Sequence, residues 1–136
     1  MPNETSVIQY NTDTFENTHV ANTDELQEVL RPIDSLISKS EKAQQKLTPG
    51  TWQHTMLRDN LKALRIASTL LNKEKYDTHS FTRDDLKEAL HAFASMINKT
   101  EKAQAKFSLG TSQHTLLQNR LKALLMSEAI IKSKLG

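Results

Sequence analysis

The chain has 136 residues, 37% of them hydrophobic and 25% charged, with a net charge of +2, which is one domain's worth of ordinary soluble composition. With no cysteine it can build no disulfide, thiolate zinc site or cysteine nucleophile. A charge this small makes no bulk electrostatic case for nucleic acid. Three glycines, three prolines and few aromatics, set among many Leu, Ala, Lys, Glu and Gln residues, point to an all-α fold. No apolar run approaches the roughly 20 residues that cross a bilayer. The opening residues lack the basic and apolar blocks of a secretory signal, so the expected location is cytoplasmic.

Residues 1–17 carry no helical period and are rich in Asn and Thr; they read as a flexible N-terminal arm. The remainder, 18–136, reads as one helical-bundle domain made of two copies of one unit. Residues 18–74 laid over 78–134 align without a gap and share 24 identities in 57 positions, which marks an internal duplication.

Within each copy the signals for a helical hairpin come in order. Asn22 and Thr82 are N-cap residues with an acid three positions on, Glu25 and Asp85, the capping-box arrangement. Phe81 and Leu86 can close the second start as a hydrophobic staple. Leu26, Val29, Leu30, Ile33, Leu36, Ile37, Ala43 and Leu47 then recur at the spacing of one helix face, and all eight have apolar counterparts sixty residues later. Pro32 interrupts the first of these helices, and a kink over 28–31 is expected. TPGT at 48–51 and SLGT at 108–111 are turns, with glycine to stop one helix and threonine to cap the next. Second helices follow over 52–72 and 112–134. A lone hairpin of about 50 residues buries too little to stand alone. The predicted architecture is therefore a four-helix up-down-up-down bundle of two tandem, pseudo-twofold-related hairpins.

Polar residues interrupt the apolar faces near the turns. Ser40 and Gln44, Thr100 and Gln104, Gln53 and Asn60, and Gln113 and Arg120 all fall inside the arcs where aliphatic residues are expected. A charge aimed into a core needs a partner, and Glu41 or Glu101 is the expected one for Arg120. Such a layer fixes helix register. It is alternatively a small-ligand site formed by Gln44, Gln53, Asn60, Gln104, Gln113 and Arg120.

Catalytic and metal readings find little. His54 and His114 recur in both copies, but each pairs across its hairpin with about residue 47 or 107, six residues or about 9 Å of helix from Glu41 or Glu101, too far to share one ion. They are expected to cover the turns or bond Gln44 and Gln104. Glu88 with His91 is the one Glu-x-x-His pair within a predicted helix, and Arg31 stands at the matching place in copy one. No phosphate loop or nucleophile beside a base is present. The expectation is a non-enzyme without metal or cofactor.

Bases gather toward the turns, including Lys42, Lys46, Lys102 and Lys106, while acids gather at the far end. Trp52, whose counterpart is Ser112, is the aromatic beside them. The predicted function is that of an interaction or regulatory module whose basic turn end, through Lys42, Lys46, Trp52, Lys102 and Lys106, meets a protein partner or a second copy. Contact with phosphate or nucleic acid ranks third.

Overall fold

The computed structural model describes residues 23–72 and 81–136, and all the regular structure in them is helical. The described residues hold four helices: α1 (Thr23–Gln45), α2 (Trp52–Leu71), α3 (Arg83–Gln104) and α4 (Ser112–Leu135). The proposed arm, the Asn22 cap and the connection between the two copies lie outside the described residues. α1 packs on α2 and on α4, α3 packs on α4 and on α2, and α2 also meets α4. The described residues thus form a helical bundle.

Local chemistry sets the helix limits where the pattern predicts them. The Thr82 hydroxyl accepts the Asp85 amide at 3.0 Å, and the Asp85 carboxylate accepts the Thr82 amide at 3.1 Å, so the capping box closes and satisfies two amides that the helix itself leaves without acceptors. Phe81 lies half-buried against the core, and Leu86 is buried. At the turns, Gly50 and Gly110 take φ of +94° and +89°, a region costly for a residue with a Cβ. The next residue in each case caps the following helix. Thr51 and Thr111 accept the amides of His54 and His114, and their hydroxyls donate to Thr48 and Ser108. α1 runs as one helix through Pro32, whose side chain is half-buried.

The core is lopsided. Its buried cluster draws Val29, Leu30 and Ile33 from α1, residues 63–71 from α2, Leu86 to Ile97 from α3, and Ala123, Leu124, Ile130 and Ile131 from α4. These are the halves of the helices remote from the two turns. Corresponding positions in the two copies are buried alike: Ile33 with Phe93, Leu64 with Leu124, and Ala67 with Ser127, which satisfies its hydroxyl on the Ala123 carbonyl. Next to the turns almost nothing is enclosed. Residues 34–45 and 52–60 contain no buried side chain, and the matching parts of copy two contain only Ile97, Thr100 and Leu117. Ala43 and Leu116, apolar at core spacing, are exposed. At their turn-side ends the helices have lost the packing partners their pattern anticipates.

Candidate functional site

Because the turn half does not close, it displays what a closed bundle would cover. Trp52 is 70% exposed, Leu109 86%, Leu116 54% and Phe107 40%. Trp52 is the first residue of α2 and Leu116 the fifth of α4, while Phe107 and Leu109 precede Gly110. Exposed large apolar side chains drawn together in one region mark contact surfaces more often than scattered ones do. Around them stand Lys42, Lys46, Lys102 and Lys106, all exposed. Residues 39–60 and 99–120 together hold eight bases against three acids, so the segments beside each turn are basic in a chain whose net charge is only +2.

Several polar residues of the turn half bond to backbone carbonyls or to one another. Gln44 is half-buried, and its Nε2 donates to the His54 carbonyl at 3.4 Å; Gln104 reaches the His114 carbonyl at 3.5 Å and also donates to the Gln118 side chain. The glutamines thus tie α1 to α2 and α3 to α4 through backbone oxygens rather than through the imidazoles. Gln53 and Asn60 are half-buried and Gln113 is exposed. Thr100, buried, donates to the Met96 carbonyl. Among the described residues no buried side-chain nitrogen or oxygen lacks a partner, which is the condition of a satisfied structural layer.

Arg120 departs from expectation. It is half-buried, and neither Glu41 nor Glu101 is its partner among the described ion pairs. Glu41 instead pairs with Arg65, from α1 to α2. The physical reason is the open turn half: a guanidinium that keeps access to water needs no buried counter-ion. Arg65 was not singled out in the sequence because its counterpart is Leu125, so the repeat pattern carries no trace of it.

Two grooves run between the copies. One, of about 870 Å³, lies between α2 and α3, with Ala63, Ala89, Ala92 and Ser95 along it and Trp52, Met56 and Ile66 beside them. The other, of about 310 Å³, lies between α1 and α4 along Val29, Pro32, Ala123 and Met126. Adding sixty to every α1 residue of the smaller groove, and subtracting sixty from every α4 residue, gives residues that line the larger one. The two grooves are thus lined at equivalent sequence positions of the two copies. The larger is roomier because Ala89 and Ala92 replace Val29 and Pro32, and because Trp52 and Gly50 extend it toward the turns.

At its far end the larger groove is bridged. Lys62 Nζ lies 3.0 Å from Asp85 and 3.7 Å from Glu88. The hydrogen bond to Asp85 holds the Lys62 ammonium above its usual range, while the Thr82 amide and then Lys62 hold the Asp85 carboxyl below its own. The signal for this bridge was in the sequence, since a lysine at 62 and 122 and acids at 25, 28, 85 and 88 recur in both copies. Glu88 is therefore committed to Lys62, and among the described residues no three His, Asp or Glu side chains group as a metal site. Of the six candidate ligand residues, only Asn60 lines either groove. No helix of the described residues is long and apolar enough to cross a membrane. No protein-family model, curated protein or solved structure matches the chain.

Proposed function

We propose that the chain is a non-catalytic interaction module of the cytoplasm, an up-down-up-down bundle of two pseudo-twofold-related hairpins that binds an acidic protein partner through its turn end. The observation that carries this reading is the exposure of Trp52, Phe107, Leu109 and Leu116 among exposed lysines. Apolar anchors supply affinity when a partner desolvates them, and the surrounding bases select an acidic partner and speed its approach. The same charge argues against a second copy bound turn end to turn end, because like poles would meet. The hairpin arrangement is supported by contacts at both ends of α3 and α4: Arg83 reaches the Leu135 carbonyl at 3.0 Å, and Gln104 reaches that of His114.

The test is affinity capture from cell extract with the native chain and a Trp52→Ala/Leu109→Ser variant. The variant should lose the captured partner while its melting temperature stays within about 2 °C, since exposed side chains contribute little to stability. A large fall in melting temperature with capture unchanged would assign both residues to the fold. Oligonucleotide binding that weakens steeply with salt would favour a nucleic-acid contact instead.

A further inference from the structure

We propose that Arg120 reads a carboxylate of the protein partner, and that the partner's acidic, apolar-flanked segment sits on the inner face of the α3–α4 hairpin beside its turn, with no equivalent seat on the α1–α2 hairpin. This rests on the interaction-module reading and specifies which copy holds the partner and through which charge.

The inner face is the one that carries the core in the half remote from the turn, and the two copies differ in how far they cover it. Leu116 stands at core spacing on α4, and Phe107 ends the apolar stripe that Ile97 carries along α3. They are 54% and 40% exposed. Their counterparts, Met56 and Leu47, are half-buried, and Lys99 Nζ meets the Met56 sulfur at 2.9 Å. Trp52, the large exposed side chain of copy one, lines the α2–α3 groove instead.

Arg120 supplies the charge. It stands four residues after Leu116 and four before the wholly enclosed Leu124, so one helix face carries an exposed apolar residue, a guanidinium and the core in succession. The side chain is half-buried and, among the described residues, belongs to no ion pair. Glu101, the acid of residues 99–120, belongs to the other side of the hairpin. Its counterpart Glu41 reaches Arg65, whose own counterpart is Leu125, and nine residues put Leu125 about 180° around α4 from Leu116. Lys106, next to Phe107, is exposed and also outside every ion pair among the described residues.

A guanidinium offers a carboxylate two parallel donors, and partial burial strengthens the pair by removing competing water. Apolar side chains of the partner seated on Phe107 and Leu116 bring its carboxylate within reach of the next turn of α4. In copy one the matching residue is Asn60, which carries no charge. The duplicated chain therefore holds one such segment, not two.

The test uses the full chain labelled with nitrogen-15 and a synthetic peptide of about twelve residues, roughly 18 Å as a helix, with Leu along one face and Glu elsewhere. A Gln-for-Glu version serves as the control. The Nε–H of Arg120 gives its own signal in a nitrogen–proton correlation spectrum. The Glu peptide should move that signal together with the amides of residues 103–107 and 113–120, and should leave 43–47 and 53–60 in place. The Gln peptide should bind the native chain at least about tenfold more weakly, because it brings no charge to the guanidinium. Arg120→Asn installs the residue that copy one already holds and should weaken the Glu peptide by about tenfold or more. Arg120→Lys, which keeps the charge and loses the fork, should fall between. Arg58→Gln, on the copy-one hairpin, should stay within about twofold.

Equal affinity of the two peptides, binding indifferent to Arg120→Asn, or shifts centred on 43–47 and 53–60 would overturn the assignment. Shifts of the inner face that grow with protein concentration alone would give it to a second copy, and overturn it too. Partner capture lost in Trp52→Ala/Leu109→Ser but retained in Arg120→Asn would leave the turn-end reading standing and remove only this one, and capture retained in both would remove both.

Discussion

The two halves of each hairpin come from one repeated pattern and end in opposite states. Far from the turns, Ile33, Leu64, Phe93, Leu124 and Ile131 are wholly enclosed. Beside the turns, Leu116 and Ala43 keep core spacing and stay exposed. Apolar periodicity is therefore necessary for a core but does not create one: burial needs four helices to converge, and polar residues at 40, 44, 100, 104, 113 and 120 remove the reason to converge at the turn side. Stability is concentrated in one half, which leaves the other half available for contact.

The largest expected effect breaks the closed half. Phe93→Ala should cost about 3–5 kcal/mol, the range for deleting an enclosed aromatic ring, whereas Leu109→Ala should change stability by no more than about 0.5 kcal/mol; urea denaturation of both variants checks the contrast. Equal losses would mean the turn half is as tightly packed as the rest.

Next come the turns themselves. Gly110→Ala meets no atom within 4 Å, so its cost is purely conformational. At φ +89° that amounts to about 1–2 kcal/mol. Gly50→Ala should match it, because the turns repeat. Thr82→Ala, which opens the capping box of α3, should cost about 1 kcal/mol, read from the same denaturation curves.

The smallest effect is a pH dependence from the Lys62–Asp85 bridge. Asp85 titrates below its ordinary value of 3.8, so it adds stability above that value and loses it as pH falls through the lowered folded value. Lys62 titrates above 10.5, so its contribution is complete below 10.5 and fades as pH rises through the raised one. Lys62→Met should flatten the alkaline limb of a stability–pH curve and shrink the acid limb. An unchanged curve would mean that the bridge contributes nothing in solution.

Much of this fold was legible in the residues. The helices, both glycine stops, the Thr51 and Thr111 caps and the Thr82 box follow from local chemistry, which acts over four or five residues and is written in order along the chain. Cross-helix facts were harder. Arg65 claimed Glu41, and the glutamines found backbone carbonyls, because those outcomes depend on how helices rotate against one another. The larger groove was illegible for the same reason: Trp52 stands 37 residues before Ala89 and 40 before Ala92 in sequence, and they meet only once α2 lies on α3.

The division between the halves is tested most directly by amide hydrogen exchange on the free chain. The account predicts slow exchange, near the global unfolding limit, over residues 61–71, 86–97 and 123–131, and faster exchange through local opening over 36–45, 52–58, 101–104 and 114–119. Uniform protection along all four helices would contradict it, because a turn half as stable as the core would have no open surface to offer a partner.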